Sequence, residues 1–142
     1  MEQLPKIQKA SDKEYWKILT IDSLTLGSDR RKDFLLEAIH KGNCYFTDLD
    51  NEIAGFAIYS RSFFDQWFID LLVVHPDSRR KGIATAFIKH IENDCRGQKL
   101  FTSTNQSNIV AQALYETNGF RKSGCIENLD AGDPEIIYFK HL

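Results

Sequence analysis

A chain of 142 residues, 42% hydrophobic and 27% charged, has the size of one ordinary domain and enough apolar side chains to bury a core. Its net charge of −2 leaves no electrostatic footprint for nucleic acid, and neither a secretory h-region in MEQLPKIQKASDKEYW nor a run long enough to span a membrane is present. Cys44, Cys95 and Cys125 are odd in number and far apart, which fits neither a disulfide framework nor a zinc spacing and makes a reducing cytoplasm the simplest compartment.

A weak strand is expected around Leu4 to Gln8. Ser11 and Glu14 have the spacing of a capping box, and Tyr15, Ile18 and Leu19 begin a helical face that Gly27-Ser28-Asp29 breaks. A second short helix carries Phe34, Leu35, Ala38 and Ile39 on its apolar side and stops at Gly42. Cys44 to Leu49 and Glu52 to Ser60 read as a hairpin turning at Asp50-Asn51. Phe68 to Val74 is aromatic and β-branched and ends before Pro76, as a buried central strand should. A helix then places Ala84, Phe87, Ile88, Ile91 and Cys95 on one face and stops at Gly97. A strand at Lys99 to Thr104, a helix beginning near Asn108, and strands at Lys122 to Asn128 and Glu135 to His141 complete a continuous α+β pattern without repeats. The chain is expected to be one domain, 1–142. His40, His75, His90 and His141 show no ligand cluster, so no metal site is expected.

Chemistry concentrates between the strand ending at Val74 and the helix after it. Arg79-Arg80-Lys81-Gly82-Ile83-Ala84 sets small residues where backbone would approach a ligand. The helix start beyond offers unpaired N–H groups and a positive dipole end, a combination that binds phosphate. Neither G-x-x-x-x-G-K-[ST] nor G-x-G-x-x-G occurs. By itself the turn reads equally as an ordinary connection with a solvated basic patch.

A second segment narrows the reading. Asn108, Ala111, Leu114, Tyr115, Gly119 and Phe120 follow N-x-x-A-x-x-L-Y-x-x-x-G-F. Together with R-x-x-G-x-A at Arg79 to Ala84, this resembles the GNAT superfamily of acyl-CoA-dependent N-acyltransferases. The resemblance implies the GNAT fold, with a mixed, mostly antiparallel twisted sheet of about seven strands, splayed in the middle and flanked by about four helices. It implies acetyl-CoA as co-substrate, its pantetheine arm pairing with the backbone of Leu72, Val73 and Val74 and its pyrophosphate resting on Arg79, Arg80, Lys81, Gly82, Ile83, Ala84 and Thr85. Tyr115 occupies the family's position for the acid that protonates the departing thiolate. Asn108 stands where the family's asparagine contacts the coenzyme arm or fixes the tyrosine; it is equally a plain helix cap.

The residues suit that chemistry on their own terms. A primary amine with pKa ~10 must lose a proton to attack a thioester. The carbonyl oxygen gains charge and needs an N–H aimed at it, which a strand amide near Val73 or Val74 could supply. Thiol and phenol pKa values of roughly 8.5 and 10 suit Tyr115 to the leaving group. For the base, Asp70 is the only carboxylate within the strand run, where an acid is costly unless hydrogen-bonded or functional. Glu127 or ordered water are alternatives.

The acceptor is expected to be a small-molecule or peptide amine, with no nucleic acid or membrane partner, and the protein a monomer or homodimer. Glu127, Asp130, Asp133 and Glu135 could attract a cationic amine, although a charged turn is also simply solvated. Phe63, Phe64, Trp67 and Tyr59 could wall a pocket or belong to the core. A non-catalytic acyl-CoA-binding sensor would keep Arg79 to Ala84 and need no acid.

Overall fold

The computed structural model describes residues 5–142. Its elements, in chain order, are β1 (Gln8–Lys9), α1 (Tyr15–Leu26), α2 (Lys32–His40), β2 (Cys44–Leu49), β3 (Glu52–Phe63), β4 (Gln66–Val74), α3 (Ile83–Asp94), β5 (Lys99–Asn105), α4 (Ile109–Thr117), β6 (Arg121–Ile126) and β7 (Glu135–His141). Short 3₁₀ turns occupy Asp12–Glu14 and Pro76–Ser78. The seven strands form a mixed sheet in the order β1-β2-β3-β4-β5-β7-β6 and, with four α-helices, make the α+β architecture of the GNAT type. β4 and β5 are parallel; β1–β2, β2–β3, β5–β7 and β6–β7 are antiparallel. The chain divides into two compact units. One holds residues up to Tyr59 with Leu71–His90, the other Ser60–Asp70 with Ile91–Leu142.

In the first unit the capping box forms, Glu14 Oε1 accepting from the Ser11 N–H at 2.9 Å and its hydroxyl at 3.1 Å. Gly27, at φ 84°, ends α1 in the left-handed conformation that glycine adopts most easily. Asp22 on α1 is fully buried, and Arg31, just before α2, grips it with a two-pronged fork at 2.6 and 3.0 Å. Such a pair fixes the angle between the helices because either partner alone would be an uncompensated charge. Ile18, Leu19, Ile21, Leu35, Ala38 and Ile39 pack with Phe46, Phe56 and Ile58 of the sheet, and Leu71 and Val73 lie against this cluster. The β2–β3 hairpin turns at Asp50-Asn51 with φ 53° and 65°, the positive angles of a two-residue turn matched to strand twist. Of the expected first strand, Leu4 lies outside the described residues, and the strand observed is Gln8–Lys9.

In the second unit the C-terminal strand β7 inserts between β5 and β6, pairing Phe101 with Phe139 on one side and Arg121 with Phe139 on the other. Leu100, Thr102, Tyr115, Phe120, Ile137 and Tyr138 are buried there. β3 continues to Phe63, three residues beyond the expected Ser60, and reverses through Phe64-Asp65 at φ 49° and 61°. No glycine or asparagine marks that turn. β6 ends at Ile126 rather than Asn128, with Gly124 at φ 100° and Asn128 at φ 75° interrupting extended backbone. Glu127 is therefore exposed in the loop, not on the strand.

β4 departs from expectation. Only Ile69 is buried along it; the rest, Leu72 and Val74 included, are half-buried. An apolar run does not distinguish a strand covered on both faces from one covered on a single face. Alternation sends Leu71 and Val73 to the core cluster and Asp70, Leu72 and Val74 to the opposite face. On α3 the buried face starts at Ile83, and Ala84 is only half-buried.

Gly55 on β3 lets the neighbouring backbone approach. A Cβ there would stand 2.7 Å from the Val73 carbonyl oxygen and 3.4 Å from the Val74 Cα. Because the obstacle is main chain, it cannot rotate away. Gly55→Ala should lower unfolding stability by about 1–3 kcal/mol, the usual cost of overpacking, read from the urea midpoint.

Candidate active site

The basic turn belongs to the first unit, and Arg79, Arg80, Lys81 and Gly82 are exposed. After the Pro76–Ser78 turn, Arg79 is extended, Arg80 adopts φ 64° and Gly82 φ 76°. Positive φ at Arg80 and Gly82 with Lys81 between them alternates the backbone, a pattern that turns successive N–H groups toward one side and makes an anion-binding concavity. A left-handed arginine is strained by the order of 1 kcal/mol or more, and such strain clusters where a ligand is held. The first helical bond runs from the Ala86 N–H to the Gly82 carbonyl at 3.0 Å. The N–H groups of Ile83, Ala84 and Thr85 open the helix and have no intrahelical acceptor. Donors, a positive dipole end and three cationic side chains thus suit a pyrophosphate. A Cβ on Gly82 would meet nothing within 4 Å, so this glycine serves backbone conformation and not space.

Leu72, Val73 and Val74 precede this turn on β4. The Val73 carbonyl faces Gly55, and the His75 N–H donates to the Ala54 carbonyl at 2.7 Å.

Asp70 lies on the part of β4 that belongs to the second unit. Its two oxygens accept separate hydroxyl bonds, Oδ2 from Ser60 at 2.9 Å and Oδ1 from Ser62 at 3.0 Å. Its own backbone N–H donates to it as well. Burial pushes the Asp70 pKa above the ordinary carboxylate value, and the two serine bonds hold it back. The result is a half-buried carboxylate poised nearer to neutrality than a surface aspartate. Ser60 and Ser62 have the i, i+2 spacing that puts both on one face of β3. That spacing, polar residues at the end of an apolar strand, was the available signal for them.

Tyr115 is buried in the second unit, its ring 5.6 Å from both Phe120 and Tyr138. Burial drives the phenol pKa up, its hydrogen bond with Thr102 works against that rise, and the charge of Glu135 adds to it. The group therefore keeps its proton at neutral pH. Thr102 also donates to the Ile69 carbonyl at 3.1 Å. Asn108 caps α4, its side-chain oxygen accepting from the Ala111 N–H at 3.1 Å.

The acidic loop is braced rather than merely solvated. Asp130 accepts from Asn105 at 2.9 Å, Asp133 from the Ser107 N–H and hydroxyl at 2.9 and 2.6 Å, and Glu135 from Ser103 at 2.7 Å. Among the described residues no group of three or more His, Cys, Asp and Glu converges on a metal position. No helix among them is long and apolar enough to cross a membrane.

Comparison with known proteins places the chain. An acetyltransferase of the GNAT family from Bacillus cereus, known by its crystal structure, is 37% identical, covers 98% of each chain and matches with a TM-score of 0.89. The peptidyl-lysine N-acetyltransferase YjaB of Salmonella typhimurium is 33% identical over 88 residues, 62% of this chain and 55% of that protein. The cysteine-rich protein 2-binding protein of Mus musculus is 38% identical over 58 residues, 41% of this chain but 7% of the mouse protein. The chain thus spans about half the length of the bacterial relative and a small part of the mammalian one. The Acetyltransferase (GNAT) family profile matches residues 10–120, and the chain belongs to that family.

Proposed function

We propose that residues 1–142 form a single N-acetyltransferase domain that moves an acetyl group from acetyl-CoA to a primary amine by direct attack. The family uses acetyl-CoA, and YjaB is named for transfer to peptidyl lysine. The observation that carries the reading is Asp70, a half-buried carboxylate with a raised pKa on the strand that continues into Leu72, Val73 and Val74. A binding module needs the basic turn but has no use for such a base.

Bound acetyl-CoA supplies the activated acyl carbon. Arg79 to Thr85 hold the pyrophosphate, and the backbone of Leu72 to Val74 aligns the arm that carries the thioester. Asp70 takes a proton from the substrate ammonium, directly or through water, and the neutral amine so formed attacks the thioester carbon. A strand N–H near Val73 or Val74 steadies the carbonyl oxygen as it gains charge. Tyr115 gives its proton to the departing thiolate, and Thr102 holds the phenol in position. The C–S bond breaks, the nitrogen's second proton passes through solvent to restore the Tyr115 phenol, Asp70 releases its proton to solvent, and the N-acetyl product and free CoA leave. Buried Cys44 and Cys95, their thiols pushed up to about 12 by burial, suit a reducing cytoplasm.

Ala84→Glu places negative charge among the helix-opening N–H groups and avoids the strain that any substitution at Gly82 introduces. It should abolish the thermal stabilisation that acetyl-CoA confers, a mass-action effect read from Tm with and without coenzyme. Undiminished stabilisation would remove the turn from the site.

Tyr115→Phe should retain that stabilisation and lower kcat by roughly 10²–10⁴. An unchanged chemical step would favour a structural tyrosine.

Asp70 acts as a base only when ionised, so activity should fall as pH drops through its raised pKa. Ser60→Ala with Ser62→Ala removes the bonds that lower this pKa and should move the acid limb of kcat/KM to higher pH. Asp70→Asn should eliminate the limb and cost roughly 10²–10⁴ in rate. A pH–rate profile that is the same in all three proteins would assign proton removal to water.

A further inference from the structure

The two faces of the sheet in the second unit differ in kind. Leu100, Thr102 and Tyr138 are buried on the side where Tyr115 of α4 meets Tyr138. Strand alternation sends Phe101 and Phe139 to the other side, where both stay half-exposed. Their ring centroids are 5.2 Å apart, and Phe63 lies 5.2 Å from Phe101 and 5.0 Å from Phe68. Phe68 is in register with Phe101, Phe101 with Phe139, and Phe139 with Arg121, so the row runs straight across the strands. At its end the Arg121 guanidinium sits over the Phe139 ring, 5.3 Å from the centroid. A groove of about 430 Å³ opens here, lined by Lys99, Phe101, Arg121, Lys122, Ser123 and Phe139. Three of these six side chains are cationic and none is a carboxylate.

We propose that this groove docks an acidic segment of a peptide or protein acceptor, an assignment that rests on the N-acetyltransferase reading above. Charge complementarity selects the occupant. The chain as a whole carries −2, yet this groove concentrates positive charge over an aromatic floor. Stacking on Phe139 pre-orients the Arg121 fork, which matches a carboxylate in two-pronged geometry. The half-exposed rings offer a flat apolar surface to an aromatic or aliphatic neighbour of the acid.

Geometry also sets a spacing. Asp70 is on the same face of β4 as Phe68, two residues and about 7 Å along the strand. From β4 to β6 are three strand spacings, about 14 Å. An extended chain covers the resulting diagonal of roughly 16 Å in four or five residues. The preferred acceptor therefore carries its acidic group that far from the acetylated amine.

Fluorescence anisotropy with labelled Lys-Ala-Ala-Phe-Glu-Glu and its Gln-Gln counterpart tests this on the full chain at low salt. The Glu peptide should bind roughly tenfold more tightly, and the preference should fade as salt screens exposed charge. Arg121→Glu with Lys122→Glu should abolish it; both residues are exposed, and the acetyl-CoA-induced Tm shift checks that the variant is folded. Lys99→Gln, on a different strand, should weaken it. Equal binding of the two peptides, a preference that survives the double substitution, or tighter binding of a single-stranded oligonucleotide would each overturn the docking proposal. The assay reads binding without chemistry. A Glu-specific peptide complex with no turnover of any amine would overturn the transferase reading alone, and turnover indifferent to the acidic pair would overturn docking alone.

Discussion

Thr102 is 1% exposed on β5, and a hydroxyl that far from water must find its partners inside the protein. It finds two, donating to the Ile69 carbonyl of β4 and pairing with the Tyr115 phenol of α4. One side chain thereby ties a helix to two parallel strands in the second unit. A valine would fill nearly the same space and lose both links. The depth of Tyr115 keeps the phenol protonated, and the Thr102 bond offsets part of that rise.

The same logic of compensated burial governs β4. Its alternation sends Ile69, Leu71 and Val73 one way and Phe68, Asp70, Leu72 and Val74 the other. On the second face a carboxylate sits among apolar neighbours, and its cost is offset by two hydroxyls rather than by a cation. A full positive charge favours the ionised carboxylate strongly; the serines satisfy the oxygens and offset only part of the rise from burial. In the first unit, by contrast, buried Asp22 is met by a full guanidinium fork, the arrangement of a structural pair. A fully buried and a half-buried aspartate in one small protein thus differ in partner chemistry, and the difference tracks their proposed roles.

Local backbone strain shows where sequence and tertiary structure divide the work. Asp50-Asn51 is a turn that any reading of residue types anticipates, since both tolerate positive φ. Phe64 and Arg80 occupy the same region without that tolerance. Phe64 is carried there by the register of the β3–β4 hairpin, and Arg80 by the need to leave β4 and enter α3 within a few residues. Neither could be anticipated from propensity, because long-range pairing decides both.

Periodicity and punctuation determined much of this protein directly. The capping box, the glycines ending α1 and α2, the amphipathic face of α3 and the two motifs around Gly82 and Tyr115 are local signals, and local physics is enough to read them. They identify the elements and, through their order, the family. Only tertiary structure decided that β7 enters between β5 and β6, that β4 is half-open, and that Ser60 and Ser62 face Asp70 while Thr102 meets Tyr115. The row from Phe63 to Arg121 belongs to the same class, because its members come from five strands and no sequence window contains them. A sequence pattern reports which side of an element is apolar. Which neighbour covers that side, and which polar atom finds which partner, depends on pairings made across long stretches of chain.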